Sequence, residues 1–227
     1  MNSEQLPQRQ QSGCAGWFIL GLAGFSMAIV LFSLVANKFF DIGDMSATGQ
    51  SSPAVGKPMP GLDLTPITLN ENPLALTDLS GKVTLINFWA TWCGPCRAEL
   101  PEIAELGHEF AENEDFQLLP VSCGDINDDP VQLSGESVMT LREMDLEMPC
   151  YSDPTGETQH ALAKLTGRSR MSLPTTLVLD REGVVRGCWE GYRPGQGKGM
   201  RKLIAELLEE KPGKTTPPFA IPIIRTP

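Results

Sequence analysis

The chain has 227 residues, 41 % hydrophobic and 20 % charged, which supplies a sizeable core and excludes a wholly disordered or low-complexity protein. Eighteen Lys and Arg against 28 Asp and Glu give a net charge of −10, so no nucleic-acid partner is expected, because a phosphate-backbone binder needs clustered cations. Six cysteines are too few for a disulfide-dense mini-scaffold, so their chemistry must sit on an ordinary core.

Residues 1–14 read as a short tail. Residues 15–36, AGWFILGLAGFSMAIVLFSLVA, carry no charge over 22 positions. As a helix they would extend roughly 33 Å, enough for a hydrocarbon core of about 30 Å. A cleaved signal peptide has a shorter apolar region and a small-x-small end, whereas this run ends Leu34-Val35-Ala36. The segment is therefore expected to be an uncleaved transmembrane signal anchor holding the chain in a lipid bilayer. Arg9 and the terminal amine on one side, against Asp41 and Asp44 beyond Lys38, favour a cytoplasmic amino terminus. Residues 37–57 have the Ser, Gly, Asp and Thr content of a flexible linker, and residues 211–227 hold five prolines and read as a disordered tail. Between them, residues 58–210 form the globular domain.

Within that domain, Lys82 to Ala90 is a continuous β-branched and aromatic run, as in a strand covered on both faces. It leads into Thr91-Trp92-Cys93-Gly94-Pro95-Cys96, after which Leu100, Ile103, Ala104 and Phe110 recur at helical spacing, with Glu99, Glu102, Glu105 and Glu109 on other faces. A second buried strand spans Phe116 to Ser122, a weaker helix lies around Val138 to Leu146, and a short strand around Pro149 to Ser152. A helix through Ala161, Leu162 and Leu165 follows. Thr175 to Leu179 and Val184 to Trp189 flank Asp180-Arg181-Glu182-Gly183 as an antiparallel hairpin. A last helix aligns Met200, Leu203, Ile204, Leu207 and Leu208. The order βαβ, then α and β, then ββα predicts an α/β fold of three layers with a mixed sheet.

Cys93 and Cys96 form C-x-x-C at a strand-to-helix junction. Backbone N–H groups at a helix start stabilise an anion, which biases the first cysteine toward the attacking thiolate. Two intervening residues let the second sulfur resolve a mixed disulfide. Pro95 suits the first helical turn, where its missing N–H has no partner to lose. Competing readings are a structural disulfide, a zinc site, a copper-delivery module and a peroxide-reducing enzyme. Zinc would need a second ligand pair, and copper delivery a C-x3-C with a distant histidine, whereas His108 and His160 sit on surface helix positions. A peroxidatic P-x3-T-x2-C surrounds none of the cysteines.

The segment Gly81 to Pro101, containing Phe88-Trp89-Ala90-Thr91-Trp92-Cys93-Gly94-Pro95-Cys96, resembles the active-site segment of the membrane-anchored thioredoxin-like proteins of bacteria, the TlpA/ResA group. Leu173-Pro174-Thr175-Thr176 resembles the cis-proline segment of that group, and Met148 to Asp153 its extra strand. The resemblance spans roughly residues 56–210. It implies a thioredoxin fold, thiol–disulfide exchange without a cofactor, and a single-pass protein of the bacterial cytoplasmic membrane whose domain faces the periplasm or exterior. Its partners would be disulfide-containing extracytoplasmic proteins, such as apocytochrome c, and a membrane thiol reductant that recharges the pair.

By matched position Cys93 is the exposed nucleophile and Cys96 the resolving thiol, with Trp92, Gly94 and Pro95 beside them. Pro174 is expected to be cis, leaving the Leu173 backbone for an extended substrate. Pro101 matches the family's helix kink. Cytosolic thioredoxins carry a buried Asp where this chain has Asn87, and an amide cannot take a proton from Cys96. Glu99, matching the acidic residue of the ResA-like subgroup, either takes that part or is one of several solvated helix glutamates. Cys123 and Cys150 either pair as a second disulfide or, with Cys188, are buried free thiols. Gly94-Pro95 is the dipeptide of thioredoxin, whose potential lies near about −270 mV, and leans toward a reductant.

Overall fold

A computed structural model of the chain describes residues 49–68, 72–124 and 129–211. The expected membrane anchor at 15–36, most of the linker and the Pro-rich tail lie outside them. Among the described residues no helix is long and apolar enough to cross a membrane.

Seven strands form one sheet: β1 (Asp63–Pro66), β2 (Leu74–Ala75), β3 (Val83–Trp89), β4 (Phe116–Ser122), β5 (Tyr151–Ser152), β6 (Thr175–Leu179) and β7 (Val185–Glu190), in the order β2-β1-β5-β4-β3-β6-β7. Among the described residues four α-helices accompany them, α1 (Gly94–Phe110), α2 (Pro130–Glu143), α3 (Glu157–Leu165) and α4 (Gly197–Glu209), with a 3-10 turn at Leu76–Leu79. Strands β3, β4 and β5 run parallel, while β6 is antiparallel to β3 and to β7, which makes the sheet mixed as expected. The β6–β7 hairpin turns where predicted, with the Gly183 N–H on the Asp180 carbonyl at 2.9 Å.

All seven residues of β3 are buried, and their alternation divides the core. Val83 and Leu85 face α1 and α4, packing on Ile103, Leu106, Met200, Leu203, Ile204 and Leu207. Ile86 and Phe88 face the other side, against Leu64, Leu79 and Leu162 of α3. At the carboxyl end of β3 a third cluster gathers Trp89, Ala90, Cys93, Cys96, Leu100, Leu141 and Cys150.

Two features differ from the sequence reading. Helix α2 begins at Pro130, not near 138, because Asp129 caps it through the Val131 N–H at 2.9 Å and Pro130 opens its first turn. Strands β1 and β2 were not expected; they are too short to carry a period, and they extend the sheet through the pairing of β1 with β5.

Arg181 locks the far end of α4. Its Nη1 donates to the Leu207 and Glu210 carbonyls at 2.6 and 3.0 Å, and its Nη2 to the Leu208 carbonyl at 3.2 Å and Asp115 Oδ2 at 3.0 Å. A cation there satisfies helix-terminal carbonyls and complements the helix dipole. Arg181→Met should therefore cost roughly 2–4 kcal/mol in urea unfolding, since it strands buried acceptors. A cost under about 0.5 kcal/mol, the surface range, would contradict this.

Candidate active site

Cys93 ends the loop after β3 and is the N-cap of α1, with extended backbone angles of φ −86° and ψ 101°. Its sulfur accepts the Cys96 N–H at 3.2 Å. That places the sulfur against the unpaired N–H groups of a 17-residue helix, the setting that lowers a thiol's pKa. Cys93 and Cys96 are joined as a disulfide with Cα atoms 5.2 Å apart. Pro95 lies in the first turn and Pro101 inside the helix, as read from the sequence.

The structure corrects one expectation about Cys93: it is not openly exposed. In the disulfide it retains 6 % exposure against 1 % for Cys96, and both belong to the buried cluster of Trp89 and Leu100 against which the half-buried Leu173 packs. Trp92 stands beside them 71 % exposed. The Leu173–Pro174 peptide bond is cis, as expected. Pro174 is buried, its carbonyl accepts the Gly191 N–H at 2.8 Å, and the Leu173 backbone has no hydrogen-bond partner among the described residues.

Glu99 is the larger surprise. It is 1 % exposed and therefore not a solvated glutamate. The sheet-facing row of α1 runs through Cys96, Glu99, Ile103 and Leu106, so one carboxyl sits a single turn beyond Cys96 and points into the core. Asn87 occupies the same sheet face as Val83 and Leu85, and Thr176 is its register partner on β6. Asn87 Nδ2 donates to Glu99 Oε2 at 2.9 Å and to Thr176 Oγ1 at 2.8 Å. Thr176 Oγ1 donates to Glu99 Oε1 at 3.0 Å, and Gln196 Nε2 donates to the same oxygen at 2.6 Å. Three elements and the residue before α4 each place one polar side chain among buried apolar ones, and these four meet in one buried network.

Burial pushes the Glu99 carboxyl up to about 7, against the donors from Thr176, Asn87 and Gln196, which favour the anion. The native state therefore holds a proton that the unfolded chain has lost, so this group's contribution to stability declines as pH rises from about 4.5 to about 7. Its size is on the order of 3 kcal/mol. Urea titrations across that window should show the decline in wild type and its absence in Glu99→Gln. Equal slopes in both would contradict the assigned environment.

Cys123 and Cys150 do not pair; both are free and buried, like Cys188. In the parallel register of β4 and β5, Val121 lies beside Tyr151, so Cys150 is level with Pro120 and Cys123 stands three positions farther on. Three positions are roughly 10 Å, beyond the roughly 7 Å that a disulfide spans between Cα atoms. The two also enter different parts of the core, Cys123 the cluster with Phe88 and Cys150 the cluster with Cys96. Burial raises all three thiols, Cys150 to about 12 and Cys188 to about 11, so none is poised as a nucleophile. Among the described residues no three His, Cys, Asp or Glu side chains gather as a metal-holding group. His108 and His160 are exposed on α1 and α3.

Sequence reasoning placed the sulfurs, Trp92 and the proline segment, left Glu99 between two readings, and missed Gln196. The spacing of 96, 99, 103 and 106 on α1, and of 196, 200, 203 and 207 on α4, carries that signal.

Comparison with known proteins agrees with this geometry. Residues 55–188, more than half of the chain, match the AhpC/TSA family. Thiol-disulfide oxidoreductase ResA of Oceanobacillus iheyensis is 30 % identical over 172 residues, 73 % of this chain and 76 % of that protein. Thioredoxin-like protein YneN of Bacillus subtilis is 34 % identical over 120 residues, 52 % of this chain and 62 % of that protein. Among solved structures, a Chlorobium tepidum protein assigned as thiol:disulfide interchange protein DsbE superposes with a TM-score of 0.54 at 27 % identity, covering 68 % of this chain and 97 % of that one. The chain belongs to the AhpC/TSA family and is a thioredoxin-like thiol–disulfide oxidoreductase of the ResA/DsbE type.

Proposed function

We propose that the protein is a membrane-anchored reductase that reduces disulfides in extracytoplasmic clients, apocytochrome c among them, through the Cys93–Cys96 pair. The observation that carries this reading is the Cys93 sulfur accepting the Cys96 N–H at the start of α1. The reduced Cys93 thiolate attacks a client sulfur, forming a mixed disulfide and displacing the client's second sulfur as a thiolate. Cys96 loses its proton to the Glu99 carboxylate, attacks the Cys93 sulfur, and releases the second client thiolate. The protein ends as the internal disulfide and the client as a dithiol, so two electrons have passed to the client. A membrane thiol reductant of unspecified identity must return them.

Trp92 offers an apolar surface beside the sulfurs, and the Leu173 backbone pairs with an extended client segment. Gly94-Pro95 supports the reducing direction. The charge-free run at 15–36 supports the anchor, and the resemblance of residues 81–101 to the TlpA/ResA group supports an extracytoplasmic site of action. Equilibration of the pair with glutathione tests the direction. A potential well below about −200 mV is expected, and one above about −180 mV would indicate an oxidase or isomerase instead.

A further inference from the structure

Gln196 directly precedes α4 and is buried against Glu99. Both ends of its amide are committed. Oε1 accepts the Arg193 N–H at 3.1 Å, and Nε2 donates to Glu99 Oε1 at 2.6 Å. A backbone N–H can only donate, so Arg193 fixes which end of the amide is oxygen. Gln196 is consequently a donor toward Glu99 and nothing else.

Asn87 is held differently. Its Nδ2 serves Glu99 and Thr176, while its buried Oδ1 has no partner among the described residues. Turning that amide over would offer Oδ1 to a proton on Glu99, so Asn87 can serve either charge state. Gln196 can only donate, which favours the ionised carboxyl over the protonated one.

We propose that Gln196 is a positioning residue of the exchange reaction, favouring the anionic form of Glu99 beside Cys96 and tying it to the turn at 191–196. The inference rests on the reading of Glu99 as the proton acceptor and adds the group that sets its readiness. The surroundings of Glu99 are otherwise sparing of charge. Glu102, on the same helix, repels the anion and is itself occupied by Tyr192 Oη at 2.8 Å, the Gly195 N–H at 3.2 Å and the Gly197 N–H at 2.9 Å. Strands β3 and β6 present uncharged Asn87 and Thr176, α4 presents Gln196, and Cys96 becomes titratable once the disulfide is reduced. A Cβ at Gly197 would stand 2.6 Å from Glu102 Oε2, so a side chain there would displace that carboxylate from its donors. The turn that carries Gln196 is thus pinned to α1 twice, through Glu102 and through Glu99.

Infrared titration of the full oxidised chain tests the contact directly, following the protonated-carboxyl band that disappears in Glu99→Gln. Its midpoint should move up by roughly one to two pH units in Gln196→Leu, the worth of one hydrogen bond to a charged group. Gln196→Met, which keeps the length of the side chain, serves if the leucine variant does not fold. The rise of single-turnover insulin reduction with pH should move by the same amount, and Glu99→Gln/Gln196→Leu should match Glu99→Gln alone. An infrared midpoint unchanged in both Gln196 variants overturns the proposal. So does a variant effect on the rate that persists in full without Glu99. Failure of the underlying reading is separate: there Glu99→Gln would reduce insulin as fast as wild type, whatever the infrared midpoint does.

Discussion

Cys93→Ser should lower insulin reduction by at least about 10³-fold, whereas Cys96→Ser should still make the first attack and accumulate a covalent adduct. The asymmetry follows from position. Cys93 is the N-cap whose sulfur faces the helix-terminal N–H groups, and Cys96 lies inside α1, more deeply buried and able to reach only its neighbour's sulfur. Non-reducing mass spectrometry of Cys96→Ser with a disulfide-bonded peptide should find one peptide per protein, attached at Cys93. An adduct at Cys96 in the Cys93→Ser variant, forming at a comparable rate, would reverse the two roles.

The second large effect belongs to Glu99. Glu99→Gln should slow the release of the mixed disulfide by about 10²–10⁴-fold, the usual value of a positioned proton acceptor. Only the carboxylate can accept a proton, so the wild-type rate should rise with pH through the carboxyl's value of about 7. The variant should lack that rise. Glu99→Gln keeps the volume and most of the donors and acceptors, so a loss of rate with retained folding separates proton transfer from packing. A variant with an unaltered rate and pH profile would assign Glu99 to structure alone.

The division between what the sequence disclosed and what it concealed has a physical cause. Strand β3 and the C-x-x-C that follows were legible because a buried run of β-branched residues and a proline in a first helical turn leave few alternatives. The cis Leu173–Pro174 bond came through resemblance, not spacing. The inward turn of Glu99 was left open because a glutamate on a helix with three others is ordinarily solvated. Its burial is offset by donors from Asn87, Thr176 and Gln196, which lie 12, 77 and 97 positions away in the chain. Long-range polar satisfaction of this kind leaves no local period. The same holds for Cys123 and Cys150, which flank neighbouring strands, one just after β4 and the other just before β5, yet are separated by register and by the core cluster each enters.

The Cys93 sulfur at the start of α1 bears the chemistry, and its ionisation is the most direct measure of the account. Alkylation of the reduced chain with iodoacetamide, resolved by residue and followed from about pH 5 to 9, should give a Cys93 profile centred below that of an unstructured peptide thiol. A Cys93 profile centred near about 8.5, with the reactivity of an unstructured peptide thiol, would contradict it.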